Sequence, residues 1–346
     1  MRSARQTVTL TTIAETSDRF RDFSPYVAAI NDAGTVAFQA TLLDGTTGIF
    51  TGSGGVVASR LESTGDVASR FYSHPDINNE GALCVYGVLA GGHERVLLAH
   101  EGGVIAFADT SGPFLSICPL GPTMNHRGAV AFRANTRAQR SGVFTRLPDG
   151  SLVTVADTGR FAGFQGLPVI TDDGSVVFRA DLPKGGHGIY RSRGQDLEAV
   201  AMTGDRFHTL GFFPSANVHD TVVFCATLRS GDAGIFRAKD GNISTIAGTN
   251  DGFESFRGAL INDSGTVFFY ATPRGGRLGI YAGPDPVRDA VLSIGDPLFG
   301  STVVDFALNP VSINERGQLA IRVRLASSMQ WIVRVESPAS AASAMG

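Results

Sequence analysis

Ile261-Asn262-Asp263-Ser264-Gly265-Thr266-Val267-Phe268-Phe269 is the unit that this chain repeats. It returns as Ile30-Asn31-Asp32-Ala33-Gly34-Thr35-Val36-Ala37-Phe38 and in five further, less complete copies. The position of Asn262 in the unit falls at 31, 78, 125, 171, 217, 262 and 314, so successive copies are 47, 47, 46, 46, 45 and 52 residues apart. Periods of this length are typical of propeller blades.

Each copy predicts four short strands. Asn and Asp tolerate turn conformations and Gly takes the left-handed position without steric cost, so the Asn-Asp-x-Gly segment indicates a tight turn between two strands. The Val-x-Phe after the turn is typical of a strand, and a segment such as Gly48-Ile49-Phe50 predicts the next one. An alternating segment such as Leu152-Val153-Thr154-Val155-Ala156 predicts the fourth. The predicted fold class is therefore all-β, a seven-bladed β-propeller with four antiparallel strands in each blade.

The N-terminus is predicted to complete the last blade. The seventh copy ends at Trp331-Ile332-Val333-Arg334-Val335 without a fourth strand, and residues 12–20 match the outer-strand segment 154–161. We therefore expect a single domain over residues 1–346, in which a strand at 7–18 closes the ring. The predicted blades cover residues 20–66, 67–111, 112–159, 160–205, 206–250, 251–296 and 297–336, and the tail 338–346 is predicted to be disordered.

Composition argues against several classes of protein. A net charge of −3 gives no indication of nucleic-acid binding, and no apolar segment has the length of a transmembrane helix or a signal peptide. The three cysteines, Cys84, Cys118 and Cys225, cannot all pair, which favours a reducing compartment. We expect a soluble cytoplasmic protein, a monomer or a weak dimer, with no nucleic-acid or membrane partner.

One face of the ring is predicted to carry the site. The loops that enter the innermost strands, and those between second and third strands, vary between blades and emerge on the same face. A His, a carboxylate and an Arg around an apolar channel mouth would suit proton transfer and anion stabilisation. The candidate catalytic residues are Tyr72, His74, Asp76, His208, Glu254 and Arg257, and the candidate ligand-binding residues are Tyr26, Gln165, Asp305, Tyr86 and Tyr270. The alternative is that these are solvated loop residues or hydrogen bonds between blades.

Basic residues gather in the loops between second and third strands of blades three to six. They are Arg137, Arg140, Lys184, His187, Arg229, Arg274 and Arg277. This basic rim could attract an anionic ligand, or it could be a solvated edge that blocks strand pairing with other chains. The histidines show no close ligand spacing and no zinc, phosphate or calcium motif occurs, so we expect no metal site and no cofactor.

The repeat Ile-Asn-Asp-x-Gly-x-Val-x-Phe, followed by Gly-Ile-Phe, resembles that of a bacterial family of tandem-repeat propellers. The resemblance covers all seven blades and implies the propeller fold. The repeat is similar, more weakly, to the propeller half of the enzymes that alkylate aromatic rings in cylindrocyclophane biosynthesis. Those enzymes use a separate calcium-binding domain to build their site, and no catalytic residue is carried over from them.

Three functions are compatible with the sequence. The first is a small-molecule-binding propeller, acting as a cofactor-free enzyme of the acid/base lyase, cyclase or transferase type, with its site at the channel mouth. The second is a scaffold that binds a protein or peptide on the same face. The third is a binder of an anionic ligand or glycan through the basic rim. A deep, partly apolar pocket with convergent polar groups would favour the first.

Overall fold

The computed structural model describes Arg5 and residues 7–17, 19–23, 25–63 and 67–336. Across these ranges the chain forms seven antiparallel sheets with four main strand positions each, and it contains no α-helix. The predicted seven-bladed β-propeller is confirmed. The sheets run over residues 20–62, 70–109, 114–157, 163–202, 207–248, 253–293 and 297–336, the last with 9–15. The predicted disordered tail at 338–346 lies outside the described residues. No helix in the described ranges has the length and apolar character needed to cross a lipid bilayer.

Strands are named from the channel outward as inner, second, third and outer. The inner strands are Phe20–Asp22 with Ala29–Ile30, Arg70–Phe71 with Asp76–Ile77, Phe114–Ile117 with Thr123–Met124, Gly163–Ile170, Phe207–Leu210 with Ser215–Ala216, Phe253–Ile261, and Ser301–Ala307. The second strands are Val36–Leu42, Leu83–Val88, Val130–Thr136, Val176–Asp181, Val222–Leu228, Val267–Pro273 and Gln318–Leu325. The third strands are Thr47–Gly52, Glu94–His100, Ser141–Arg146, His187–Arg193, Ala233–Lys239, Gly279–Tyr281 and Gln330–Glu336. The outer strands are Ala58–Glu62, Gly103–Asp109, Leu152–Asp157, Asp196–Met202, Asn242–Gly248, Ala290–Ser293 and, in blade seven, Thr9–Glu15.

Blade seven contains the ring closure and an insertion. Thr9–Glu15 pairs antiparallel with Gln330–Glu336, as the sequence predicted. An additional strand, Pro297–Leu298, forms a hairpin with Ser301–Ala307 and accounts for the longer last repeat. Two three-residue 3₁₀ helices complete the elements, at Thr249–Asp251 and Pro310–Ser312.

The core lies between the blades and is rich in aromatic rings. In blade five, Phe207 at the start of the inner strand contacts Phe236 of the third strand edge-on, with ring centroids 5.2 Å apart. Phe224 of the second strand stacks on Phe236 at 5.9 Å. These rings pack against Val177 and Ile189 of blade four in one buried cluster. Each sheet has a neighbouring sheet packed on each of its two faces, so strand positions on both faces are apolar.

The repeated Asn joins each blade to the next. Its Oδ1 accepts the backbone N–H four residues on and holds its own turn, as in the 2.8 Å bond from Thr266 N to Asn262. Its Nδ2 donates to a backbone carbonyl in the following blade. These donors are Asn31, Asn78, Asn125, Asn217, Asn262 and Asn314, and the last of them reaches back to Asn31. Thr171 occupies this position in blade four and has no amide to donate, so the ring of Asn bonds lacks its link from blade four to blade five.

The inner strands are interrupted near their middle, and these interruptions shape the channel. In blades one, two, three and five, two short segments pair with the same second strand, separated by residues 23–28, 72–75, 118–122 and 211–214. In blades four and six the inner strand is continuous, but its pairing with the second strand shifts register. The shift lies between Gln165 and Val169 in blade four and between Phe256 and Gly258 in blade six. In blade seven, residues 308–312 contain the second 3₁₀ helix. We call these seven segments the inner-strand gaps.

Candidate functional site

A cavity of about 760 Å³ lies in the channel, at the end that faces the loops between second and third strands. All seven blades contribute to its wall. Representative lining residues, one from each blade in order, are Tyr26, His74, Leu120, Leu167, Phe213, Arg257 and Leu308. Each of them lies four to six positions before the repeated Asn or its Thr171 equivalent. The wall is therefore built by the inner-strand gaps, where the chain leaves the sheet and presents side chains to the channel.

The cavity gathers most of the tyrosines. Tyr26, Tyr72, Tyr86 and Tyr270 line it, four of the six in the chain. The Tyr270 hydroxyl donates to the carbonyl of Leu308 at 2.8 Å and lies 2.6 Å from the backbone nitrogen of that residue. Burial raises the pKa of Tyr270, and burial followed by the nearby Glu94 carboxylate raises that of Tyr86. These phenols stay protonated at neutral pH, so they offer aromatic surface and neutral hydroxyls.

His74 is a buried member of this wall and has one ring nitrogen without a hydrogen bond in the described part of the chain. The side chain is 5% exposed, and burial lowers its pKa to about 4, although a hydrogen bond to the carbonyl of Pro122 works in the opposite direction. Its Nε2 has no hydrogen-bond partner among the described residues. The bond to Pro122 must therefore come from Nδ1–H, which leaves Nε2 with a lone pair. A buried acceptor without a donor is costly, because it has lost water and gained nothing in return.

The charged members of the wall differ in how they are partnered. Asp305 Oδ2 accepts from Arg322 Nη2 at 2.9 Å, which neutralises that carboxylate. Arg257 is exposed at the mouth and makes no hydrogen bond or ion pair with any residue that the structure describes. The mouth therefore carries one guanidinium that is free to bind an anion.

The structure brings together only some of the predicted site residues. Tyr26, Tyr72, Tyr86, Tyr270, His74, Arg257 and Asp305 all line the cavity. His208, Glu254 and Gln165 are exposed and lie outside it. Asp76 is buried beyond the far end of the cavity, where its oxygens accept the backbone N–H groups of Ile77 and Met124. Asp76 thus joins blades two and three, and burial raises its pKa to about 7.

The apolar part of the wall was not among the predicted site residues. Leu120, Leu167, Phe213 and Leu308 were missed because isolated apolar residues near a strand usually indicate core. The signal that could have identified them is their common position, four to six residues before the repeated Asn or Thr171.

A narrower cavity of about 120 Å³ lies at the other end of the channel. The residues that follow the repeated Asn surround it and are largely acidic: Asp172, Asp263 and Glu315 line it beside His126. Their side chains accept backbone N–H groups from the preceding blade, as in the 2.8 Å bond from Asp263 N to Glu315. We call Asp32, Asp172, Asp263 and Glu315 the acidic ring, since Asp32 accepts from Glu315 N in the same way at 2.8 Å.

Three arginines of the basic rim hold the loops that connect the preceding blades to their own. Arg137 donates to the carbonyls of Gly112 and Thr110, at 2.9 and 2.6 Å. Arg229 and Arg274 make equivalent bonds, each of 2.6 Å, to the carbonyls of Gly204 and Thr249. Arg140 pairs with Asp157 at 2.9 Å. Much of the hydrogen-bonding capacity of the rim is therefore used within the protein.

Comparisons with known proteins support the fold. No protein-family model matches the chain, and no curated protein matches it. Among solved structures it is similar to the acylaminoacyl peptidase of Pyrococcus horikoshii, with a TM-score of 0.56 and 12% identity over 91% of this chain and 52% of that one. The chain thus spans about half the length of that peptidase.

Two further structures extend the comparison. A lectin from Burkholderia pseudomallei matches with a TM-score of 0.50 and 10% identity, over 97% of this chain and 96% of that one. A gluconolactonase from Xanthomonas campestris matches with a TM-score of 0.40 and 15% identity, over 93% of this chain and 100% of that one. At these identities the likeness shows the fold alone.

Proposed function

We propose that this protein binds a small organic molecule in the wide cavity. The observation that carries the proposal is a cavity of about 760 Å³ whose largely apolar wall also holds four tyrosines and the exposed Arg257. Cavities of a few hundred to about 1,000 Å³, mostly apolar and with a few placed polar groups, are the usual form of small-molecule sites.

Binding is better supported than proton transfer. A general base works best when its pKa lies near the working pH, and that of His74 is lowered to about 4. The pKa values of Tyr86 and Tyr270 are raised, which makes them poor proton donors. A cofactor-free lyase, cyclase or transferase would need a group with a pKa closer to neutrality. Asp76 has such a pKa, but it lies outside the wide cavity.

A peptide-binding scaffold remains the second candidate, because apolar side chains are exposed outside the cavity. Leu115 is 60% exposed and Phe212 is 52% exposed. A peptide would depend on these two residues, whereas a small molecule would depend on the cavity wall. Binding of a glycan or other anion through the basic rim is less favoured, since Arg137, Arg229 and Arg274 are already hydrogen-bonded to loop carbonyls.

A thermal-shift screen with a metabolite library tests the proposal. We expect compounds that raise the melting temperature of the wild-type protein and lose this effect in His74→Ala and in Leu120→Trp, which narrows the mouth. His208→Ala, an exposed His in a paired strand, should keep the shift. Shifts that persist in both cavity variants would overturn the proposal, and shifts lost only in Leu115→Ser or Phe212→Ser would favour the scaffold.

A further inference from the structure

The polar groups that line the wide cavity are largely hydrogen-bonded within the protein. The Tyr270 hydroxyl donates to the carbonyl of Leu308 at 2.8 Å and accepts from the backbone nitrogen of the same residue at 2.6 Å. Four more polar side chains of the wall are bonded to a neighbouring side chain or to the backbone, and they are Ser73, Tyr86, Asp305 and Asn309. A ligand in this part of the cavity therefore finds few free donors or acceptors.

The remaining polar side chains of the wall do not depend on a ligand. Tyr26 is half-buried, and Tyr72 and Arg257 are exposed, so water at the mouth hydrates them. The Nε2 of His74, which has no partner in the described part of the chain, is enclosed by protein and is out of reach of the cavity. None of these groups places a hydrogen-bonding partner deep in the wall.

Prolines reduce the number of backbone donors in the same wall. Pro25, Pro119 and Pro310 line the cavity and lie in the inner-strand gaps, where the backbone leaves the sheet and an N–H group would lose its partner in the ladder. A proline has no N–H group, so no donor is left unsatisfied at these positions. The donor before Pro310 is also used, since Asn309 N donates to Ser312 Oγ at 3.1 Å. The backbone thus adds little hydrogen-bonding capacity to the wall.

The rest of the wall is hydrocarbon without net charge. Half of the lining residues come from blades six and seven, and the large apolar ones among them are Leu260, Leu278, Phe306 and Leu308. Asp305 in the same wall is paired with Arg322 at 2.9 Å, and burial lowers the pKa of His74 to about 4, so this side chain is neutral at pH 7. A charged or polar group of a ligand would lose its hydration here without replacement.

We infer that the ligand is a neutral, largely hydrocarbon molecule that binds by burial of its apolar body, with at most one polar group, which stays at the mouth. This inference rests on the proposed function and narrows it to a chemical class. It requires that affinity falls when a second polar group is added to the ligand, and that part of this loss is recovered when the wall gains a partner for that group.

Three probes with one rigid hydrocarbon body test it by isothermal titration: 1-adamantanol, adamantane-1,3-diol and adamantane-1-carboxylate. We expect the alcohol to bind most tightly. The diol should bind about tenfold more weakly, because its second hydroxyl enters the cavity without a partner. The carboxylate should also bind more weakly than the alcohol, because its charge is partly desolvated and the wall offers no buried cation to compensate it.

Gly258 offers matched variants of the wall. It lines the cavity, its φ lies outside the left-handed region, and no atom lies within 4 Å of an added Cβ. Gly258→Leu should occupy part of the cavity and weaken binding of the alcohol by about tenfold or more. Gly258→Ser should bring the diol closer to the alcohol in affinity than Gly258→Ala does, because it supplies the hydroxyl that the wall lacks. Gly55→Leu is the control, since Gly55 is exposed, lies outside the cavity and has equally free space.

Two results would overturn the inference and leave the proposed function standing. One is tightest binding of the diol or the carboxylate, with this binding lost in Gly258→Leu, which would show a polar or charged ligand. The other is an equal difference between alcohol and diol in Gly258→Ser and Gly258→Ala. If Gly258→Leu does not fold, as judged by circular dichroism, Leu120→Trp at the mouth takes its place.

Absence of binding by all three probes at millimolar concentration would exclude the chemical class. The proposed function would then stand if the metabolite screen still gave shifts that are lost in Leu120→Trp, and it would fail with the inference if the screen gave none.

Discussion

Asn314 Nδ2 in the last blade donates to the backbone carbonyl of Asn31 in the first blade at 2.9 Å, across 283 residues of sequence. Both residues are buried. This bond closes the ring at its inner edge, whereas the pairing of Thr9–Glu15 with Gln330–Glu336 closes it at its outer edge. The ring therefore has two closures that can be tested separately.

Replacing Asn314 with Ala should destabilise the protein by about 3 kcal/mol, because a buried carbonyl and two backbone N–H groups lose their partner. Urea denaturation followed by circular dichroism measures this. Asn242→Ala is the control, since that exposed side chain bonds only to the nearby carbonyl of Asp240 among the described residues. Equal effects of the two substitutions would contradict a structural role for the Asn ring.

Thr171→Asn should stabilise the protein by about 1 kcal/mol, because it supplies the amide that blade four lacks. Among the described residues, the Thr171 hydroxyl bonds only within its own turn, to Asp173 and to the carbonyl of Ser175. Thermal unfolding of the variant measures the gain. A lower melting temperature would indicate that the bonds of the Thr171 hydroxyl outweigh a link from blade four to blade five.

Gly166→Ala should destabilise the protein by more than about 3 kcal/mol, adding left-handed backbone strain of about 1–2 kcal/mol to a steric clash. Gly166 has φ +69°, and a Cβ there would lie 1.5 Å from the carbonyl oxygen of Phe212. Gly174→Ala is the matched control, with φ +87° and no atom within 4 Å of the added Cβ, so it should show the strain alone. Similar losses in the two variants, measured by chemical denaturation, would exclude the clash.

The stability contributed by His126 should depend on pH. Its Nε2 lies 3.4 Å from Asp32 Oδ2 and 3.6 Å from Asp172 Oδ2, and the bond to Asp32, then the charges of Asp172 and Asp32, raise its pKa against the effect of burial. A raised pKa means that the contribution is complete below the unfolded-state pKa and is lost as the pH rises through the folded-state value. Because His126 is half-exposed, we expect less than about 1 kcal/mol.

The measurement is the difference in unfolding free energy between wild type and His126→Asn. It should be larger near about pH 5.5 than near about pH 8. A difference that is constant with pH, or larger at the alkaline end, would show that the charged form of His126 is not favoured in the fold.

Deleting residues 1–15 should remove cooperative unfolding, because blade seven then loses its outer strand and exposes the edge of Gln330–Glu336. Differential scanning calorimetry is the appropriate measurement, with a deletion of residues 1–4 as control. A truncated protein that melts like the intact one would mean that the inner closure through Asn314 suffices.

The seven-bladed architecture could be predicted from the sequence, but only part of the candidate site could. The blades could be recognised because turn residues such as Asn262 and Gly265 recur at the same position of the repeat. His74 and His208 are both candidate catalytic residues in the sequence, because both lie where the chain enters an inner strand. They differ because His208 alternates with buried Phe207 in a paired strand and so points outward, whereas His74 lies in a gap where no such alternation applies. Which strand is interrupted depends on packing around the ring, and the repeat does not specify it.

The residues of the inner-strand gaps are under different evolutionary constraints from the residues that hold the ring together. The repeated Asn, the glycine turns and the stacked rings determine whether the ring assembles, and the residues four to six positions earlier make few of those contacts. A new binding preference can therefore evolve, or be engineered, one blade at a time, by exchanging a short insert such as 118–122 while the sheets around it keep their register. The molecule is in this sense a rigid holder for seven exchangeable segments.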